Sequence, residues 1–151
     1  MAESKTVKEL MINKFVKVNQ DDSLFEVATK VSEDRETLLA CVVDKKDKLT
    51  GIITPKELLK AAEICEYGGS KHPFFSPREL LHLLTSRYAQ DLMRDPISVK
   101  PDDTVQKAID IMIDKGFYEI PVIDDENNII GEINYLSVIS TSVWHCNEER
   151  E

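Results

Sequence analysis

Apolar and polar residues follow two periods along this chain, and the whole pattern is written twice. Leu38-Leu39-Ala40-Cys41-Val42-Val43 and Leu49-Thr50-Gly51-Ile52-Ile53 are short apolar runs on either side of the polar stretch Asp44-Lys45-Lys46-Asp47-Lys48. Such a pattern predicts two buried strands joined as a hairpin. About eighty residues further on, Tyr118-Glu119-Ile120-Pro121-Val122-Ile123 and Ile129-Ile130-Gly131-Glu132-Ile133 flank Asp124-Asp125-Glu126-Asn127-Asn128. Asp44 aligns with Asp124 and Gly51 with Gly131 at one offset, so the two loops have equal length. Upstream of each hairpin the period lengthens. Leu24, Val27, Ala28 and Val31 recur as Val105, Ala108, Ile109 and Met112, the spacing of one apolar face of a helix. Asp21-Asp22-Ser23 and Asp102-Asp103-Thr104 stand where N-caps belong, and Leu10-Met11 returns as Leu92-Met93. The chain is an internal duplication, and function is to be sought between its copies.

Taken in order, each copy reads strand, helix, strand, strand, helix, an α/β fold in two tandem repeats. Residues 7–66 form the first repeat, 67–90 a linker containing a helix, 91–145 the second repeat and 146–151 a charged tail. Val7 to Ile12 predicts a short helix; Phe15 to Val18 and Ile97-Ser98-Val99 predict the first strand of each copy. Thr54-Pro55-Lys56-Glu57 and Ser76-Pro77-Arg78-Glu79 each read as a capping box with proline at the first helical position. The helix from Ser76 is expected to carry Leu80, Leu81, Leu84, Tyr88 and Leu92 on one side, and Gly116 is expected to close the helix before it in a left-handed cap. Residues 66–76, with Gly68-Gly69 and His72-Pro73, predict an exposed, mobile connection. A three-stranded sheet of this size has one apolar face and needs a cover. The two repeats are expected to supply it by packing sheet to sheet as a pseudo-two-fold pair.

Composition narrows the classes. Hydrophobic residues make up 42% of 151, enough for a core. A net charge of −9 disfavours nucleic-acid binding, which needs clustered Lys and Arg. No apolar run reaches membrane-spanning length, and Met1-Ala2-Glu3-Ser4-Lys5 lacks the apolar stretch of a signal peptide. Three cysteines, Cys41, Cys65 and Cys146, with no C-x-x-C pair suit a reducing cytoplasm. With His72, His82 and His145 they match no metal-ligand spacing, so no metal or cofactor is expected. The carboxylates show no pair placed beside a nucleophile, and no catalytic residue or enzymatic role is expected. Phe74-Phe75 is expected to fold back onto the core.

The duplicated order and spacing resemble the cystathionine-β-synthase (CBS) domain pair, or Bateman module. The second copy carries the family's run in Asp91-Leu92-Met93, Asp95-Pro96-Ile97-Ser98-Val99, Pro101-Asp102-Asp103-Thr104, Ile120-Pro121-Val122-Ile123-Asp124 and Gly131-Glu132-Ile133-Asn134. The first carries it in Glu9-Leu10-Met11, Asp22-Ser23-Leu24, Val42-Val43-Asp44 and Gly51-Ile52-Ile53-Thr54, with Cys41 where the second has Pro121. The resemblance implies a stand-alone regulatory module. It would bind an adenosine-containing ligand (AMP, ADP, ATP or S-adenosylmethionine) in the cleft between repeats, form a homodimer and signal to a separate effector protein.

The family's ligand signature is Gly-x-x-Thr/Ser-x-x-Asp, whose acid holds ribose hydroxyls and whose hydroxyl residue opens a helix beside phosphate. Here it stands as Gly51-x-x-Thr54-x-x-Glu57 and as Gly131-x-x-Asn134-x-x-Ser137, the second without the acid. Thr54 and Glu57 equally read as a capping box needing no ligand. Strand alternation puts Thr50, Ile52 and Thr54 on one face, with Ile52 as a floor for adenine; on the matching face Glu132 would repel phosphate. Met93, Ile97 and Tyr118 complete the implied ligand-binding set, Tyr118 either stacking on a base or packing on the core. Lys56 and Arg94 are the nearest candidates for a phosphate, either of which also reads as a solvated surface charge. The competing reading is a ligand-free dimerisation and interaction scaffold, favoured by the missing acid at Ser137 and by Leu38-Leu39 and Tyr118-Glu119 where the family often carries basic residues.

Overall fold

The computed structural model describes residues 5–34, 37–68 and 75–141. Along them run α1 (Val7–Leu10), β1 (Val16–Asn19), α2 (Leu24–Glu33), β2 (Ala40–Val43), β3 (Leu49–Ile53), α3 (Pro55–Tyr67), α4 (Pro77–Thr85), α5 (Ala89–Leu92), α6 (Val105–Lys115), β4 (Glu119–Ile123) and β5 (Ile129–Asn134). Residues 135–141 are helical and are called α7. Residues 69–74 of the expected mobile connection, Phe74 among them, and 142–151, with the charged tail, His145 and Cys146, lie outside the described residues.

Both hairpins are built by one device. Asp44 Oδ1 accepts the N–H groups of Lys46 (2.8 Å) and Lys48 (3.0 Å); Asp124 Oδ1 accepts those of Glu126 and Asn128 (both 2.9 Å). Asp47 and Asn127 then turn the chain with φ of 66°, a left-handed conformation that short Asp and Asn side chains tolerate. The register is duplicated too: Val42 faces Gly51 and Val122 faces Gly131, with an irregularity just after Val42 and after Val122.

The chain divides into two compact units, Val16–Pro96 and Met1–Phe15 together with Ile97–Glu151. In the first, β1 pairs parallel to β2 and β2 antiparallel to β3. Val18, Val27, Ala40, Val42, Ile53 and Leu92 form its core. In the other, Val7, Val99, Ala108, Ile120, Val122 and Ile133 pack behind the antiparallel pair β4–β5. Its expected third strand, Ile97-Ser98-Val99, contracts to one parallel bridge, in which Val99 N–H donates to Pro121 O (3.0 Å) and Ile123 N–H to Val99 O (2.9 Å). Pro96 and Pro101 bracket that segment, and neither has an N–H for a longer ladder.

Helix ends follow the capping chemistry. Ser23 and Glu26 exchange hydrogen bonds at 3.1 Å, Thr104 Oγ1 accepts Lys107 N–H at 3.1 Å, and Gly116 closes α6 at φ 72°. At α4 only half the expected box forms: Ser76 Oγ accepts Glu79 N–H at 3.1 Å, while the Glu79 carboxylate turns to Lys60 of α3. The expected long stripe from Leu80 to Leu92 is also broken. Tyr88 bridges Ser23, with Leu24 N–H on Arg87 O (3.1 Å) and Ala89 N–H on Asp22 O (2.8 Å), so the backbone is extended between α4 and α5. Leu83 is therefore the buried leucine of α4, with Leu81 and Leu84 exposed. Phe75 packs onto the core of its unit as expected.

What joins each unit is a strap from the other sequence repeat. Residues 7–12 lie against β5, with Ile12 N–H on Glu132 O (2.8 Å) and Glu132 N–H on Ile12 O (2.9 Å). Residues 89–94 lie against β3 in the same way through Ile52 and Arg94. The duplicated glycines mark the crossings. A Cβ at Gly131 would overlap the Ile12 carbonyl oxygen, and one at Gly51 would come within 2.9 Å of the Arg94 oxygen.

The loop carboxylates also make stability depend on acid. At Asp103 the Lys100 N–H bond outweighs burial, and at Asp44 the Lys48 N–H bond does so. At Asp22 burial raises the pKa, but hydrogen bonds from Lys30 and the Asn19 N–H outweigh it. All three titrate below their ordinary range. Their stabilisation is therefore complete above the ordinary carboxylate range and is lost as pH falls through it and below. The melting temperature at pH 3 is expected to lie well under that at pH 7; equal values would remove these carboxylates as contributors.

Candidate functional site

The junction of β3 and α3 is shaped by four residues. Thr54 keeps an extended backbone as N-cap, and Pro55 occupies the first helical position. Glu57, one turn in, folds back. Its Oε2 accepts Thr54 N–H at 2.8 Å and the Thr54 hydroxyl, so the capping box forms and Thr54 is only 7% exposed. The other oxygen, Oε1, lies 3.7 Å from Arg94 Nη1. That guanidinium arrives on the strap: Arg94 N–H donates to Ile52 O (2.8 Å) and Ile52 N–H to Arg94 O (3.1 Å).

Directly opposed residues of an antiparallel bridge project to one face. Arg94, Ile52 and Thr54 thus share the face turned away from the core residue Ile53, while Met93 packs partly buried against that core. Ile52, expected as a floor for adenine, is only 1% exposed and so presents no open surface here, whereas Lys56 is exposed on the first turn of α3. The structure therefore brings together Ile52, Thr54, Glu57, Met93 and Arg94, drawn from both sequence repeats yet within one compact unit. Chemically, it is a carboxylate with one oxygen fixed by two donors and the other beside a cation, an arrangement suited to hydroxyl donors.

The matching junction in the other unit is different. Asn134 Oδ1 accepts Ser137 N–H (3.0 Å) and the Ser137 hydroxyl (3.3 Å), so this pair caps α7 without a carboxylate. Tyr118, 66% exposed, stands outside the core and meets Tyr135 edge-on with ring centres 5.5 Å apart. Ile97 lies partly buried against the core of this unit. Glu132, expected on the ligand-side face with Asn134 and there to repel phosphate, is 0% exposed and presents no surface to a ligand. Where one unit has Ile52 facing Arg94, the other has Glu132 facing Ile12.

Sequence reasoning missed the meeting of Arg94 with Glu57 and of Tyr118 with Tyr135. A signal for the first was present: an isolated glycine inside each β3-type strand announces close approach of another backbone. Leu92-Met93, matching Leu10-Met11, is the segment that makes it. Among the described residues no group of His, Cys, Asp or Glu is arranged to hold a metal ion, and no helix is long and apolar enough to cross a membrane.

A family model described as CBS domain matches residues 7–64 and 89–142. An uncharacterized protein of Methanopyrus kandleri is 28% identical over 104 residues, 68% of this chain and 45% of that protein. The inosine-5'-monophosphate dehydrogenase of Methanocaldococcus jannaschii is 27% identical over 135 residues, 89% of this chain and 23% of the enzyme. The chain thus spans less than half the length of these curated relatives, and the match to the dehydrogenase is a match of CBS domains that indicates no catalytic family. A CBS domain-containing protein from Thermotoga maritima superposes with a TM-score of 0.76 at 26% identity, covering 95% of this chain and 97% of that one. CBSX2, solved in complex with AMP, gives 0.73 at 21% identity over 93% and 97% of the two chains. The CBS domain pair of protein MJ0100, solved with 5'-methylthioadenosine and S-adenosyl-L-methionine, gives 0.70 at 18% over 91% and 95%.

Proposed function

The chain belongs to the CBS-domain family, and from that premise we propose that it is a non-catalytic sensor taking an adenosine-containing ligand at Thr54, Glu57 and Arg94. The ligand is AMP, ADP, ATP or S-adenosylmethionine, and the output passes to an effector protein by a shift in conformation. The observation that carries this reading is the divided carboxylate of Glu57. Its Oε2 serves the helix cap while Oε1 remains on the side of Arg94, so capping and ribose binding do not compete for one oxygen. Neighbours of the same fold, solved with AMP or with S-adenosyl-L-methionine, support the ligand class. Asn134, Ser137, Tyr118 and Ile97 form a second, weaker candidate without the acid.

The scaffold reading rests on a specific observation as well. Leu59 of α3 and Ile139 of α7 occupy equivalent positions and are both exposed, as is Ile113 of α6. We assign these helix faces to a homodimer burying about 1,000 Å² or more. Light scattering that finds only the 17.2 kDa monomer at tens of micromolar would remove it. We place the protein in the cytoplasm, where thiols such as Cys41 and Cys65 form no disulfide.

Thermal unfolding tests the sensor. A ligand binding only the folded state at a hundred times its dissociation constant adds about 2.7 kcal/mol. For a chain of this length that is a rise of roughly 5–10 °C. Glu57→Gln is expected to weaken binding by about 1.5–3 kcal/mol, the worth of a charge-assisted hydrogen bond. Gln retains an oxygen for the Thr54 N–H, so the ligand-free melting temperature is expected to stay nearly unchanged. If adenosine, AMP, ADP, ATP and S-adenosylmethionine all leave the wild-type curve in place at millimolar levels, the scaffold reading replaces this one.

A further inference from the structure

We propose that the outward side of α4 is a docking surface for an acidic amphipathic helix of another protein, whose apolar face covers Leu81 and Leu84. The helix lies between the stretches that match the family model, residues 7–64 and 89–142, so it belongs to the connection of this chain and not to the matched repeats.

Apolar residues stand on both sides of α4. Leu83 is buried and Leu80 packs partly buried on the core of its unit, whereas Leu81 and Leu84 are 63% and 60% exposed. A helix apolar on its outer side as well as its inner one is the kind that protein encloses. Single exposed apolar residues are ordinary on a surface, but these two have company. Tyr88, exposed, follows one turn's worth of residues after Leu84 and bridges Ser23, and Phe25 on the first turn of α2 is exposed as well. All of them lie within the unit Val16–Pro96.

Charge selects the occupant. Arg78, His82 and Arg87 are exposed along the same stretch, and among the described residues neither arginine has an ion pair. The nearby carboxylates are engaged elsewhere. Glu79 is held by Lys60 of α3, and Asp91 Oδ2 accepts the N–H groups of Arg87 (3.1 Å) and Tyr88 (3.0 Å). Arg78 stands in the first turn of α4, where the helix dipole favours an acid, so helix stability does not account for it. The result is a basic rim around leucines on a chain whose net charge is −9. Such a rim orients and admits a partner with carboxylates beside its apolar face and rejects a basic one. A second copy would set one basic rim against another. Leu81 and Leu84 form a ridge that fits the groove of a helix, whereas a strand would need an open sheet edge. An anionic membrane shares the sign of the partner but meets only two leucines and the repulsion of the whole chain.

Amide NMR of the labelled full chain tests this with three synthetic peptides of about 18 residues, long enough to hold helical structure. One carries leucine on one helical face and glutamate elsewhere; the second has lysine for glutamate; the third is the acidic peptide with serine for leucine. The acidic leucine peptide is expected to shift amides of residues 76–88 and of the start of α2, and to bind about tenfold or more tightly than the lysine peptide. The serine peptide is expected not to bind. Leu81→Ser with Leu84→Ser should abolish binding and leave the melting temperature nearly unchanged, because both side chains are exposed. Arg78→Glu with Arg87→Glu should invert the preference between the two leucine peptides, which a merely structural role would not do. Equal binding of the acidic and basic peptides, no binding, or shifts centred on other residues would overturn the proposal. So would α4 amides that move with protein concentration alone, which assigns the face to a second copy, or that move with phosphatidylserine vesicles and not with the peptides, which assigns it to lipid. No arm contains a nucleotide, so failure here leaves the ribose-binding reading standing, and failure of nucleotides to bind leaves this one.

Discussion

A chain beginning at Val16 is expected to keep the β1–β2–β3 unit folded and to lose the cooperative folding of β4–β5. The loss looks paradoxical by sequence order, because the deleted residues precede the first repeat's strands. In the structure they belong to the other unit. Val7 is wholly buried in the core of Val99, Ile120, Val122 and Ile133, and Leu10 and Met11 pack against it. Val7 N–H donates to Asp103 O (2.8 Å), Lys8 N–H to Pro101 O (3.0 Å) and Val105 N–H to Lys5 O (2.9 Å), and Ile12 makes its reciprocal pair with Glu132. Burying one Val side chain contributes about 1.5–3 kcal/mol, and each hydrogen bond about 0.5–1.5. Together with Leu10 and Met11 the deletion removes on the order of 5–10 kcal/mol, comparable to the whole stability of a small domain. Hydrogen exchange is the measurement: amides of Ile120, Val122 and Ile133 should exchange freely while those of Val42 and Ile53 stay protected. A shortened chain whose Ile133 amide remains as protected as that of Ile53 would show that the strap is dispensable.

Gly131→Ala is the second large effect, about 3–4 kcal/mol. Overpacking usually costs about 1–3 kcal/mol, and this site lies at or above the top of that range because the obstructing atom is backbone. A Cβ would overlap Ile12 O and approach Met11 Cε to 2.6 Å, so the strap itself must lift from β5. The expected fall in melting temperature is roughly 10 °C. At Gly51 the tightest obstruction is the flexible Met93 side chain, with the Arg94 oxygen at 2.9 Å as the backbone limit. Gly51→Ala should therefore cost less, about 1–2 kcal/mol, with Met93 moving first. The order of the two variants is the test. A Gly131→Ala protein melting within a degree or two of wild type would mean that the strap does not lie where these contacts place it.

Both effects arise where sequence and tertiary structure divide the work. Local chemistry alone determined much of the protein. Asp44 and Asp124 accept backbone N–H groups two and four residues ahead, so the loops were readable from composition and length. Ser23, Thr54 and Thr104 cap helices whose apolar faces were visible at helical spacing, and Gly116 ends α6 as its position implied. The duplicated order of these pieces was enough to place the chain in its family. These features join residues within a few positions of one another, and a period or a cap carries the information for them.

Tertiary structure decided which strap lies on which sheet. The apolar pattern of Leu10-Met11 is the same as that of Leu92-Met93, so periodicity cannot tell which glycine each will cross; only packing of the folded units selects Gly131 for one and Gly51 for the other. From that choice came the rest. Arg94 was brought to Glu57, and Glu132 was set opposite Ile12. Glu79, which reads as half of a capping box, was drawn away by Lys60 once α3 and α4 came together. Each of these pairings closes a long loop of chain, and its energy exists only after that closure, so no local window of sequence contains it. The residue types that make a ligand site possible are legible along the chain; their convergence at one face is a property of the fold.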